Sequence, residues 1–438
     1  MSRNSLTTNH IRDFRKGNHM KRSRITAGLV ALAAVALAGC SSSSGSTTAH
    51  TTSPATAPPI STTIAPAAPA VAHGVKAAIG DVPWAKVGPG WMLAMWGPET
   101  PHKFGAEPSP DEQKPETDIP TLYLVDAQGN RYAIATFGNG DEPQVLDWSG
   151  DGSHAMLGAR YPAPSKVVSI DLHTGAQTTI PVDGYPRYSH LDGKSMLVAT
   201  DYNSNTDEPG TLKRLDLAGN EQRSYPTELG GAGEFGGDYL ESLDGTQLVL
   251  ATHDQAQNAM VVMADDGKII RTLTSPMAQG HCSPVRWWTT TVVLANCRND
   301  AGSQLWTVPV DGSTPAALTA VNSGQEDDPG FGGDIGDGVA YQLPSGTFLQ
   351  SAGACGTMFL SRLTPDMHTT RVKIPGVSDD VIVAGATADK LLILGKVGCS
   401  GTTSMLTYDP AANTSTVLLG PPLNGGGVSD ARLFPGQE

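Results

Sequence analysis

WSGDGSHAML, from Trp148 to Leu157, sets an aromatic residue, a Ser, an Asp–Gly pair and an apolar run in immediate succession. An Asp–Gly pair tolerates the positive φ of a tight hairpin turn, and the apolar run after it has the length of a buried strand. The same phrase returns as SHLDGKSMLV (Ser189 to Val198) and ESLDGTQLVL (Glu241 to Leu250). Looser copies are GPGWMLAMW (Gly88 to Trp96), WWTTTVVLAN (Trp287 to Asn296), IGDGVAYQL (Ile335 to Leu343) and TADKLLILG (Thr387 to Gly395). Each copy leads into a second pair of strand-like runs, as in VVSIDLHTGAQTTIPV (Val167 to Val182) and VVMADDGKIIRTLT (Val261 to Thr274). From turn to turn, at Gly90, Gly152, Gly193, Gly245, Thr290, Gly338 and Asp389, the spacing is 41 to 62 residues.

Four short strands recurring at that period are the signature of a β-propeller. No segment after the N-terminal leader shows a 3.6-residue apolar period, and 50 Gly and 32 Pro oppose long helices. The expected fold is therefore all-β, with seven four-stranded blades over residues 75–436 and with six and eight as the neighbouring counts. Blade one is expected over Gly80 to Phe137, with strands near Trp84, Trp91 to Trp96, Thr121 to Asp126 and Arg131 to Phe137. The other blades begin near Gln144, Tyr188, Tyr239, Val285, Ile335 and Val381. GVSDARLF (Gly427 to Phe434) repeats GVSDDVIV (Gly376 to Val383), which opens the seventh blade, so one first strand is surplus. Either it or the N-terminal strand is expected to close the ring by joining the blade of the other terminus.

The turn with its flanking strands resembles the repeat of TolB-type, WD-like propellers, in which an aromatic residue, Ser, Pro, Asp, Gly and a polar residue precede an apolar strand. Here Gly150 stands where that family prefers Pro, and the first, fifth and seventh repeats lack the Asp–Gly pair. The resemblance covers about residues 80–435. It implies a protein- or ligand-binding scaffold of the bacterial cell envelope. It carries over no catalytic residue, because the motif is structural.

The N-terminus reads as an address. Lys21, Arg22 and Arg24 precede an apolar run from Ile25 to Ala38, and LAGC (Leu37 to Cys40) closes it. That layout is a secretory signal peptide over residues 1–39, with Met20 as the expected start. LAGC resembles the bacterial lipobox, which implies that Cys40 receives a lipid such as palmitate and anchors an exported protein to the outer leaflet of the cell membrane. Ser41 to Ala72 is almost entirely Ser, Thr, Ala and Pro, so residues 40–74 are expected to form a disordered tether. Residues 40–438 hold 22 Lys or Arg against 42 Asp or Glu, a net charge of −20. An acidic body argues against nucleic acid as a partner and favours solubility, cations or basic partners. A monomer is expected.

Apart from Cys40, four cysteines remain in a chain read as exported, which suggests two disulfides. Cys282 and Cys297 fall at the same end of one expected hairpin, and Cys355 and Cys399 in corresponding loops of neighbouring repeats. The expected pairs are Cys282–Cys297 and Cys355–Cys399.

Strand direction alternates within a blade, so turns one–two and three–four share one face, while loops two–three and the links between blades share the other. The first set is tight. The second is long, as in Gly97 to Pro120, Asp201 to Gly210 and Pro344 to Gly356, and it holds all four cysteines. Binding of an envelope protein or small ligand is expected there. FGNGD (Phe137 to Asp141), FGGD (Phe235 to Asp238) and FGGD (Phe331 to Asp334) lead into first strands, with Asp81, Asp379 and Asp430 at comparable places. If these carboxylates ring the channel mouth they offer a site for a cation or basic group; the alternative is that each ties down backbone in a Gly-rich turn. No cofactor is expected, and Ca2+ enters through weak candidates at Asp327, Asp328 and Asp334. Enzyme motifs such as GxSxG, HExxH and the P-loop are missing, which leaves an envelope carbohydrate hydrolase or lyase, using channel-mouth carboxylates, as the alternative to a binding scaffold. Trp91, Trp96, Trp287 and Trp288 are candidates for stacking on a ring-shaped ligand or for packing between blades.

Overall fold

The computed structural model describes residues 68–98, 114–138, 143–190, 193–254, 259–324, 334–353, 356–398 and 402–435, with Asp334 and Ile335 described by backbone alone. The expected Cys40 lipidation site, Cys355, Cys399, Asp141, Asp327 and Asp328 lie outside the described residues.

Seven sheets form a ring of blades. Blade 2 runs, from channel to rim, through Gln144–Trp148, His154–Gly158, Lys166–Asp171 and Gln177–Pro181. Blade 3 is Tyr185–Tyr188, Ser195–Ala199, Leu212–Asp216 and Glu221–Ser224; blade 4 is Glu234–Glu241, Gln247–His253, Met260–Ala264 and Ile269–Leu273. Blade 5 is His281–Thr289, Val292–Asn299, Gly302–Pro309 and Ala316–Ala317; blade 6 is Asp334–Leu343, Gly346–Gly353, Met358–Leu363 and Thr369–Arg371. Blade 7 is Val377–Ala386, Leu391–Val397, Ser404–Asp409 and Thr414–Leu419. Second strands such as Met92–Gly97 and Ser195–Ala199 are buried along their whole length, because a neighbouring blade covers each face. Fourth strands such as Glu221–Ser224 reach the rim and turn polar.

The core is a series of layers between blades. Met156, Val167 and Ile180 of blade 2 pack on Tyr188, Met196 and Val198 of blade 3. The pattern continues around the ring, with Leu240 and Val249 against Val293 and Ala295, and Leu392 and Leu394 against Met92 and Ala94.

Closure corrects the expected first blade. No strand forms near Trp84, where Trp84–Lys86 is a short 3-10 turn. The innermost strand of blade 1 is instead the surplus C-terminal one, Gly427–Leu433, which pairs antiparallel with Met92–Gly97. Thr121–Val125 and Arg131–Thr136 complete that blade. The physical reason is position: Trp84 sits in a stretch broken by Pro83 and Pro89, while Gly427–Leu433 repeats the pattern of the other first strands. The N-terminal chain straps the same junction from outside. Ala70–Val71, inside the segment read as tether, adds in parallel to Thr414–Leu419 of blade 7, and Lys76–Ala78 adds to Arg131–Thr136 of blade 1.

Several first strands start earlier than the sequence suggested. The pairing register shifts between Phe235 and Tyr239 in blade 4 and between Val377 and Val381 in blade 7. The steps at Asp238 and Asp379 are therefore bulges within first strands, and they hide strand alternation from a reading by period.

Candidate functional site

Asp238, Asp379 and Asp430 face sideways, to neighbouring blades. Ser283 Oγ of blade 5 donates to Asp238 Oδ2 of blade 4 at 2.8 Å. Arg160 Nη2, after the second strand of blade 2, donates to Asp430 Oδ2 of blade 1 at 2.5 Å and to the Val145 carbonyl at 3.1 Å. Arg371 Nη2 of blade 6 donates to the Asp379 carbonyl at 2.8 Å. Asp81 accepts from the Ala78 amide beside it, off the channel. Sideways bonds recur around the ring: Asp147 Oδ2 on a first strand accepts the Tyr188 amide, Asp380 Oδ1 on another accepts the Met358 amide, and Gln350 on the second strand of blade 6 bridges to Val381 and Val383 of blade 7. Among the described residues no three His, Cys, Asp or Glu side chains gather in a way that could hold a metal ion.

A cavity of about 150 Å3 lies in the channel, walled by first strands. Its lining comes from the second half of those strands and from the turns after them, including His190, Leu243 and Pro435. It therefore sits toward the tight-turn end, opposite the long loops where the sequence placed the site. None of Asp238, Asp379 and Asp430 lines it.

Three arginines from three blades reach its wall: Arg187, Arg286 and Arg432. Arg187 lies over the ring of Tyr239, with Cζ 5.8 Å from the centroid, and Arg286 over Tyr341 at 4.7 Å. Each is a cation–π contact between neighbouring blades. Arg286 Nη1 donates to the Ala340 carbonyl at 3.3 Å, while its Nε is buried without a hydrogen-bond partner. The tyrosine hydroxyls are engaged elsewhere, Tyr188 with Ser169 at 2.8 Å and Tyr239 with the Leu197 carbonyl at 3.2 Å. Burial pushes both phenols well above their usual range, so they stay neutral. Of the candidate tryptophans only Trp287 lines the cavity, held by its Nε1 donating to the Glu241 carbonyl at 2.8 Å. Trp91 and Trp96 are buried in the core and Trp288 packs against it.

The wall carries two carboxylates, Asp147 and Glu241. Glu241 is buried and accepts from Ser189 Oγ at 2.7 Å, the His190 amide at 2.6 Å and Arg214 Nη2 at 3.3 Å. Arg214 also donates to Asp265, which lies 3.6 Å from Arg223 Nη1. Two cations thus balance two anions in this network between blades 3 and 4. The cavity wall thus brings together three guanidinium groups in a chain that is acidic as a whole.

On the loop-rich side the Cys282–Cys297 disulfide is present, joining directly paired positions of blade 5. The Asp201–Gly210 loop is organised by its own contacts, which no sequence signal announced. Tyr202 stacks on His253 with centroids 3.7 Å apart and donates its hydroxyl to Asp207, which pushes the phenol up to about 12.

No family model and no curated protein matches this chain. Solved structures similar to it include a prolyl endopeptidase, at 13% identity over 74% of this chain and 49% of that one, with a TM-score of 0.46. An oligogalacturonate lyase from Vibrio parahaemolyticus aligns at 12% identity over 70% of this chain and 84% of that one, with a TM-score of 0.41. A TolB protein from Agrobacterium tumefaciens aligns at 16% identity over 59% of this chain and 92% of that one, with a TM-score of 0.35. The chain spans about half the length of the prolyl endopeptidase. At these levels the likeness speaks to fold alone.

Proposed function

We propose that this protein is an exported binding scaffold, held at the outer leaflet by a lipid on Cys40, that recognises a small ligand in its channel and leaves its loop-rich face to an envelope protein. The observation that carries the reading is the chemistry of the cavity wall, where stacked arginines and aromatic rings converge from several blades. A glycoside hydrolase needs two carboxyls free to act on one bond. Here Asp147 and Glu241 hold the backbone amides of Tyr188 and His190, as struts do.

Anchoring is tested by metabolic labelling with an alkyne fatty acid: the natural chain takes the label and Cys40→Ala does not. Ligand binding is tested by native mass spectrometry of the detergent-solubilised full chain after incubation with an envelope extract. Ala384 lines the cavity, so Ala384→Trp fills it. The proposal expects a bound mass on the natural chain that Ala384→Trp lacks. Catalytic consumption of an extract carbohydrate, abolished by Ala384→Trp, would favour the enzyme reading instead.

A further inference from the structure

We infer that the channel cavity is selective for a small organic anion with a flat apolar body, of which a ring-bearing carboxylate is the simplest form. The inference rests on the proposed binding role of the cavity and adds the charge and size of its occupant.

Size comes first. A cavity of about 150 Å3 has room for about one six-membered ring, as apolar cavities of that volume do, and a substituent of that ring can extend toward the open side. A folded oligosaccharide or a peptide helix does not fit within it. The apolar wall sets the second requirement. Val285, Val339 and Val383 stand beside the rings of Tyr239, Tyr341 and Trp287, so an inorganic ion alone would leave this surface without a partner.

Charge comes from the arginines. Residues 40–438 carry 42 acidic side chains and 22 basic ones, so chance placement would line a channel with carboxylates. Instead Arg187, Arg286 and Arg432 meet there, from the first strands of blades 3, 5 and 1. Arg187 and Arg286 each lie over an aromatic ring, and a guanidinium group offers the forked N–H donors that a carboxylate accepts. Guanidinium groups supplied by three different blades give a ring-bearing carboxylate planar, charge-assisted donors beside an apolar wall.

The test uses three probes of one shape and three charges: benzoate, benzamide and benzamidinium. Each is titrated into the full chain by isothermal calorimetry at low and at high salt. The expected order is benzoate tightest, benzamide weaker and benzamidinium undetectable, with benzoate binding weakened by salt. Arg286→Gln and Arg187→Gln each remove a charge-assisted donor and are expected to weaken benzoate about tenfold or more, leaving benzamide nearly unchanged. Arg286→Lys, which keeps the charge but loses the planar fork, guards against a folding artefact and is expected to fall between. Equal binding of benzamide and benzoate, or indifference to the arginine variants, overturns the anion inference and leaves the cavity as a neutral binding site. Failure of all three probes overturns the inference and, if Ala384→Trp also leaves the extract-derived mass unchanged, the channel-binding reading with it.

Discussion

Arg160 Nη2 and Asp430 Oδ2 lie 2.5 Å apart with both side chains almost wholly buried, one on blade 2 and the other on the C-terminal strand that completes blade 1. Lys76–Ala78 and Gly427–Leu433 share this blade, and the pair ties the latter strand to the ring. A buried ion pair is weak evidence of net stability, but removing one partner strands the other charge. Asp430→Ala is therefore expected to destabilise by about 3–5 kcal/mol, and an Arg160→Met/Asp430→Leu double variant to recover most of that loss. Urea unfolding midpoints check both. Additive losses in the double variant would contradict the coupling.

Gly152 makes a second closure contact. Its φ is +74°, and a Cβ there would lie 2.7 Å from Cε2 of Phe434, whose ring meets Trp148 edge-on at 5.2 Å. Gly90 has φ +86° but open space around it. Gly152→Ala is expected to cost about 1–3 kcal/mol more than Gly90→Ala, since only the first adds overpacking to backbone strain. Thermal unfolding of the two variants side by side measures the difference.

The Asp–Gly turns predict acid sensitivity. Burial pushes the Asp151 carboxyl up, but hydrogen bonds from Ser149 and Ser153 outweigh it and hold it below the usual range. Ser242 and Thr246 lower Asp244 in the same way. A carboxyl lowered on folding contributes stability above its unfolded pKa of about 3.9, and that contribution is lost as pH falls through the folded value. Urea midpoints should fall below about pH 4, and Ser149→Ala should make that acid-dependent fall smaller, because it brings the folded pKa of Asp151 nearer the unfolded one. A profile unchanged by Ser149→Ala would contradict the assignment.

Cys282 and Cys297 close a loop of sequence separation 15 and are both buried. Replacing both with Ala is expected to cost about 3 kcal/mol, the chain-entropy value for a loop of that size. Peptide mapping without reductant should recover this bridge and a second one joining Cys355 to Cys399. Free thiols at Cys355 and Cys399 would contradict the second pairing.

The turns were legible because their chemistry is local. Asp151 bonds to residues within two positions of itself, so WSGDGS displays the whole device in one window. The disulfide was legible because a hairpin brings its two ends together. The closing strand was legible as a surplus copy, though its place in blade 1 was not, since pairing between residues more than 300 apart leaves no local trace. The cavity was hidden for the same reason. Arg187, Arg286 and Arg432 stand in unrelated sequence contexts and meet only when seven first strands form one channel. The aspartates of FGGD suggested a ring of ligands because sequence shows that a residue recurs, not where its side chain points. Strand bulges turned Asp238 toward Ser283 instead.

The cavity wall, the Arg160–Asp430 pair and the Phe434 contact all require Gly427–Leu433 to be the innermost strand of blade 1. Ala94 and Ala431 are directly paired across that seam and are both fully buried. The most direct test is mild oxidation of an Ala94→Cys/Ala431→Cys chain, followed by mass mapping of cross-linked peptides. The account predicts a disulfide joining positions 94 and 431, with none in a control Ala94→Cys/Ala155→Cys chain, whose second position lies in blade 2. No bridge between 94 and 431, or a bridge in the control alone, would contradict closure by the C-terminal strand.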